Sequence, residues 1–266
     1  MDSAAPFAAE VRAFHDAARR AADSGQAPMV PSCPAWTMSD LVLHLGMVHR
    51  MVGTIIRERL RVPPIDPAGL ARAEFPADMT GWPAPDRAPT MGPIPPSLLD
   101  WFDEGAQLLG RQFREHPPDE TVWTWAPEQT VGFWLRMQTI EAAVHRWDAE
   151  NALGAARPVP EEIAANAVTQ TFEVMAPARR AWMKAPPGAG ERFRFVRTDG
   201  PGQWLVRFDV EDVRLGFGED GGFDIELSGT ASDLMLFLWR RIPADRLGVR
   251  GDQALLDRYF VLVPPI

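Results

Sequence analysis

Trp36-Thr37-Met38-Ser39-Asp40-Leu41 spells out the start of a helix. Thr37 is placed to cap the amide of Asp40, the Asp40 carboxylate to reach back, and Trp36 and Leu41 to take the two positions of a hydrophobic staple. Pro31 and Pro34 keep the chain before this point extended, because proline pushes the residue preceding it out of the helical region. Beyond it, Leu41, Leu45, Val48, Val52 and Ile55 recur at helical spacing until Pro63-Pro64 stops the pattern.

Three further helices flank this one. Residues 5–22 are alanine-rich and put Phe7, Val11, Phe14 and Ala18 on one face. A third helix is expected to start at Ser97, with Asp100 three places on, and to carry Leu98, Phe102, Leu109 and Phe113 up to Pro117-Pro118. A fourth begins near Thr130 and runs through Met137, Ile140, Val144 and Trp147 to Gly154. Four amphipathic helices of this kind predict an antiparallel four-helix bundle. Residues 63–96 hold ten prolines and lie between the second and third helices. No long helix or central strand persists there, and a loop of that length serves as a functional cover or a mobile segment.

After Pro158 and Pro160 the period changes. A helix over about 161–184 leads into alternating segments: Phe193 and Phe195; Trp204, Val206, Phe208 and Val210; Val213, Leu215 and Phe217; Phe223, Ile225 and Leu227. Alternation marks antiparallel strands with one packed and one solvated face. Thr230 to Asp233 caps a strongly apolar helix, and a short helix around 252–260 closes the chain. The expected organisation is therefore a helical domain over 1–157 and a small α+β domain over 158–266.

Composition bounds the function. With 27 basic against 36 acidic residues the formal charge is -9, and no basic stripe is present, so nucleic acid and anionic membranes are poor partners. The most apolar run, Leu234 to Trp239, is too short to span a bilayer, and the first ten residues lack the basic and apolar regions of a secretion signal. A cytoplasmic location and a small-molecule substrate are the expectations, with the chain a monomer or homodimer. Cys33 is the only cysteine, so a metal has to be held by histidine and carboxylate.

Glu141 and His145 stand four residues apart on the fourth helix and project from one side of it. The spacing suits two ligands to one ion, but it is also that of a common surface ion pair. His44, among Leu41, Leu45 and Val48, is expected to face the bundle interior, where an imidazole needs a partner. As a third ligand it completes a His, His, Glu set with an open position, the pattern of a catalytic zinc site. Asp148 either orients His145 or faces solvent. His49 lies about 140° around the helix from His44 and is expected at the bundle edge. His15 is expected as a partly exposed helix residue, and His116 beside free helix-end carbonyls. Cys33 is expected near the bundle mouth as a small packed side chain. Arg50, Arg136 and Arg146 flank the set and can hold an anion or simply face solvent.

The segments VPSCPAWTMSDLVLHLG, Val30 to Gly46, and EAAVHRWDAE, Glu141 to Glu150, resemble the mycothiol-dependent maleylpyruvate isomerase family, within the DinB-like metal-binding four-helix bundles. GTASDLMLFLWRRIP and GDQALLDRYF are similar to that family's sterol-carrier-like C-terminal domain. The resemblance implies zinc ligands at His44, Glu141 and His145, and a metal that deprotonates a low-molecular-weight thiol. It further implies thiolate addition to a cis double bond, rotation and elimination to the trans product; related members transfer the thiol to an electrophile. It also implies a substrate-holding arginine, for which Arg240 and Arg241 are the candidates. The expected protein is thus an enzyme using a divalent metal, Zn2+, and mycothiol or a similar thiol. The alternative is a non-catalytic, metal-containing small-molecule or lipid-binding protein.

Overall fold

The computed structural model describes residues 3–84, 86–216 and 222–264. By internal contacts the chain divides into two compact units, Met1–Arg157 and Pro158–Ile266. No helix among the described residues is long and apolar enough to cross a membrane.

The first unit is built on α1 (Ala5–Asp23), α2 (Met38–Arg57), α4 (Pro96–Glu115) and α5 (Val131–Ala152), with a short α3 (Pro67–Arg72) inside the proline-rich stretch. α1 packs mainly on α5 and α2 mainly on α4. Their faces bury Phe7, Phe14, Leu41, Leu45, Phe102, Leu109, Ile140 and Val144, among the residues whose spacing predicts the helices. The start of α2 is a full capping box: the Asp40 carboxylate accepts from Thr37 N at 2.8 Å, and Thr37 Oγ1 accepts from Asp40 N at 3.4 Å.

The same carboxylate ties down the proline-rich stretch. Asp40 Oδ2 accepts from Thr90 N at 2.9 Å, and Thr37 Oγ1 donates to the Thr90 carbonyl at 3.0 Å. Trp82 Nε1 donates to Ser97 Oγ at 2.9 Å. Ser97 is therefore not the cap of α4. That helix begins one residue earlier at Pro96, a position where the missing proline N–H costs nothing. A two-stranded hairpin, β1 (Met29–Val30) with β2 (Cys33–Thr37), also precedes α2 and goes beyond the plainly extended segment that Pro31 and Pro34 predict.

The second unit carries α6 (Glu161–Gln170), a π turn at Thr171–Met175 and α7 (Ala176–Trp182) where the periodicity predicts one helix. Pro177 cannot donate to the carbonyl four residues back, and the Ala176 amide bonds Thr171 O, five back, instead. The sheet runs β5 (Asp212–Leu215), β4 (Gln203–Val210), β3 (Gly188–Arg197), β6 (Ile225–Gly229), β7 (Gly248–Gly251). It is mixed rather than antiparallel throughout, because β3 and β6 run parallel, Phe193 opposite Ile225. α8 (Ala231–Leu238), capped by Thr230, and α9 (Ala254–Leu262) complete the unit. Phe193, Phe195 and Phe208 fill the core as the alternation predicts, and Tyr259 of α9 packs against all three. Val210 departs from it: at the turn into β5 its φ is 47° and it is exposed. The expected strand position Phe217 lies outside the described residues.

Two core features generate predictions. A Cβ at Gly46 would lie 2.4 Å from Cζ3 of Trp101, whose ring is fixed by the Arg50 guanidinium 4.4 Å above it and by Nε1 donating to Glu74 O at 3.0 Å. Gly46→Ala is expected to destabilise the bundle by about 1–3 kcal/mol in urea unfolding, the cost of overpacking. His49 is not at the bundle edge. It is fully buried against Phe7 and Phe102, with neither ring nitrogen hydrogen-bonded among the described residues.

Burial lowers the His49 pKa from 6.5 to about 3; nearby Glu141 opposes this, while His145, His44 and Arg50 add to it. With its folded pKa below its unfolded one, His49 binds more protons unfolded, so the stability it allows is full above pH 6.5 and drains as pH falls toward 3. His49→Phe is expected to flatten that acid limb, measured by unfolding of chelator-treated protein from pH 7 to 4. An unchanged slope would contradict this.

Candidate metal centre

α2 and α5 lie side by side, and they bring His44, Glu141 and His145 together. One nitrogen from each imidazole and one oxygen of Glu141 all fall within 4.8 Å of one another. His44 Nε2 is 3.4 Å and His145 Nε2 3.5 Å from the same Glu141 Oε1. The two rings meet edge to face at 5.2 Å between centroids. His145 is buried, while His44 and Glu141 are half-buried at one side of the cluster.

Asp148 decides the orientation of His145. Its carboxylate is fully buried and takes His145 Nδ1 at 2.9 Å, which leaves Nε2 facing Glu141. The other Asp148 oxygen accepts from Ser32 Oγ at 2.5 Å, and Cys33 Sγ is 3.9 Å from Oδ2. Ser32 and Cys33 sit at the tight β1–β2 connection, so the hairpin is what delivers these donors. Trp36 packs its ring on His44 at 4.8 Å between centroids, which makes it one wall of the cluster.

Burial alone would raise the Glu141 pKa, yet hydrogen bonds from His145 and His44 hold it well below the usual carboxylate range. Burial likewise pulls His145 down, and its bonds to Asp148 and Glu141 overcome this and carry it up to about 9. Both shifts express one property. The donor atoms favour a positive charge in their midst, which either a proton or a metal ion supplies.

The residues fit a divalent ion. At 3.4 and 3.5 Å the His–Glu separations are long for charge-assisted hydrogen bonds. They match the spacing of two donors on one tetrahedral zinc, about 3.4 Å apart when each bond is about 2.1 Å. Two imidazoles, one carboxylate and a carboxylate behind one imidazole are a donor set suited to zinc.

The remaining candidates are placed elsewhere. Arg50 bonds Glu74 at 2.9 Å and Trp101 O at 2.8 Å, Arg136 pairs with Glu128, and Arg146 bonds Glu10 and Glu150, each at 2.9 Å. None of these three is held for a substrate anion. His116 meets Glu120 Oε2 at 2.8 Å rather than helix-end carbonyls, and His15 stacks on Phe102. Arg240 and Arg241 lie in the second unit at the end of α8. There they border a hollow of about 40 Å³ together with Arg179, Trp239 and Phe260. Arg240 has φ 59° and its guanidinium 4.5 Å above Phe260, while Arg241 Nη1 donates to Trp239 O at 2.9 Å.

The model of the mycothiol maleylpyruvate isomerase N-terminal domain matches residues 7–150, and that of the isomerase's C-terminal domain matches residues 162–258. Among solved structures the chain is similar to a crystal structure of the mycothiol-dependent maleylpyruvate isomerase, with TM-score 0.61 and 13% identity over 94% of this chain and 92% of that one. It is similarly related to a histidine-to-alanine mutant of that isomerase, with TM-score 0.58 and 14% identity over the same shares. No curated protein sequence matches. At such identities the structures establish a shared fold, and the two domain matches, in order and together spanning most of the chain, establish kinship: the chain belongs to the mycothiol maleylpyruvate isomerase family.

Proposed function

We propose that this chain is a zinc-dependent enzyme that uses mycothiol, or a similar low-molecular-weight thiol, to isomerise or conjugate a small electrophilic, carboxylated molecule. The observation that carries the reading is the His44, Glu141, His145 cluster with all donor atoms within 4.8 Å, in a chain of this family. His44, Glu141 and His145 hold the ion, which when bound lowers the pKa of a thiol and keeps it as thiolate near neutral pH.

The chain's own groups do the rest. Asp148 receives the Nδ1 proton of His145 in a hydrogen bond at 2.9 Å, so the Nε2 lone pair is directed at the cluster. Ser32 donates to the other Asp148 oxygen and keeps that carboxylate from rotating away. Trp36 shields His44 on one flank and offers an apolar surface to whatever approaches. The thiolate adds to a cis double bond conjugated to a carbonyl, the resulting single bond rotates, and elimination returns the trans alkene and the thiolate. With an electrophile that cannot eliminate, the same addition ends as thiol transfer. Arg240 or Arg241 is assigned to the substrate carboxylate, as the arginine of the apolar-helix end.

Metal analysis tests the centre: His44→Ala and His145→Ala are expected to lose bound zinc, and full metal content in both refutes it. Asp148→Asn is expected to keep the ligands and weaken zinc binding by about 10–100-fold in chelator competition. Turnover of maleylpyruvate is expected only with mycothiol present, and the reading falls if a panel of electrophiles shows no thiol-dependent change. Arg240→Ala or Arg241→Ala is expected to raise KM for the carboxylated substrate while leaving zinc content intact.

A further inference from the structure

Over residues 38–56 of α2 every side chain is buried except those of His44, Met47, Val48 and Met51. Their helical spacing makes one strip, and the strip starts at a residue of the metal cluster. The least buried strip of a surface helix ordinarily carries charge. On α1 the exposed positions include Arg12, Asp16, Arg19 and Arg20, and on α4 they include Asp100, Glu104 and Arg111. Beyond His44 the α2 strip carries only methionine and valine, half-buried and uncharged.

α5 places one polar group along the same path. The two helices run antiparallel: Ser32, just before α2, meets Asp148 late in α5, and Leu60, just after α2, accepts from the Trp123 amide ahead of α5. The direction from His44 to Met51 is therefore the direction from His145 to Gln138. Gln138 stands seven residues before His145, which returns it to within about 20° of the same azimuth. It is also one turn before Glu141, with about 5–6 Å between the Cβ atoms. Gln138 is 3% exposed, and its Oε1 has no hydrogen-bond partner among the described residues. Gln112 and Gln170 share that lack, but only Gln138 lies on the helix face that supplies Glu141 and His145 to the cluster. A buried amide without a partner at such a place is free to meet a bound molecule.

An adaptable, uncharged strip with one amide beside it recognises an apolar body carrying a carbonyl. The polar body of a thiol such as mycothiol does not match it, whereas the non-reacting end of an electrophile does. We propose that Met47, Val48, Met51 and Gln138 form the subsite for that end. The electrophiles it selects are cis-β-acylacrylates, in which a ketone bearing an R group is joined through a cis alkene to a carboxylate, with R a long alkyl chain or an aryl ring. R lies along the α2 strip, and the Gln138 amide, turned to present its N–H, donates to the ketone oxygen. As a substrate site it rests on the enzymatic reading, but its occupancy is measurable without turnover.

Saturated 4-oxoalkanoates keep the ketone and the carboxylate and have no alkene to react. Isothermal titration of the full chain with zinc supplied is expected to show 4-oxodecanoate binding on the order of tenfold or more tighter than 4-oxopentanoate. The double variant Met47→Gln/Met51→Gln is expected to remove that preference. Gln138→Leu is expected to weaken both ligands by about threefold or more and to keep the preference. Zinc content and thermal unfolding of each variant check that the centre and the fold are retained. Equal affinity of the parent for the two ligands, a preference undiminished in the folded, zinc-loaded double variant, or affinities unaltered by Gln138→Leu each overturn the proposal. If the binding preference is present but the unsaturated acids show no thiol-dependent turnover, the enzymatic reading fails and the subsite stands.

Discussion

The structure of the first unit depends on one carboxylate. Asp40 accepts the Thr37 amide and the Thr90 amide on the same oxygen, so a single buried charge both starts α2 and pins the proline-rich stretch to it. A helix start fixed this firmly also fixes rotation about the helix axis. His44, one turn beyond Asp40, has its azimuth set by the cap, and so has Gly46, the point at which α2 and Trp101 touch. A cap alone contributes about 0.5–2 kcal/mol. Its larger consequence is geometric, since a ligand set drawn from two helices requires both to be in register.

α5 solves the corresponding problem without a strong amphipathic pattern. It is buried over most of its length, including Arg146, Asp148 and Glu150. Each of these charges is compensated: Arg146 by Glu10 and Glu150, Glu150 also by Arg157, and Asp148 by Ser32 and His145. Buried ions of this kind are costly when a partner is removed, so they specify how α5 sits against α1 and the β1–β2 hairpin more than they add stability. Glu141 and His145, on the same helix, inherit that placement.

This also explains what was legible in the sequence. The helices, their apolar faces and the alternating strands follow from local periodicity, and the capping box follows from six consecutive residues. The candidate ligands were visible as residue types at helical spacing: His44 joined the Glu141/His145 pair from its place on the second helix, and the family resemblance implied the same three residues. Ser32 could not be read, because its tie to Asp148 spans 116 positions and depends on a hairpin with Pro28, Pro31 and Pro34 in or beside it. His49 was misplaced for a related reason: periodicity marks the apolar face but does not say that a histidine will be accepted within it between Phe7 and Phe102. The mixed sheet was equally hidden, since alternation reports which face is packed and not which way a neighbouring strand runs.

The exposure of His44, Glu141 and His145 gives the cluster a direction. Side-chain exposure falls from 33% at His44 through 23% at Glu141 to 8% at His145. His145 is the anchored end, backed by Asp148, and His44 is the open end, flanked by Trp36. A small molecule reaching the cluster therefore meets His44, Glu141 and an indole face before it meets His145. The arginines nearest in sequence, Arg50, Arg136 and Arg146, are each tied to a carboxylate, so approach from that side is not steered by free cations. Selection at the open end then rests on apolar contact with Trp36 and on donor atoms that favour a cation in their midst.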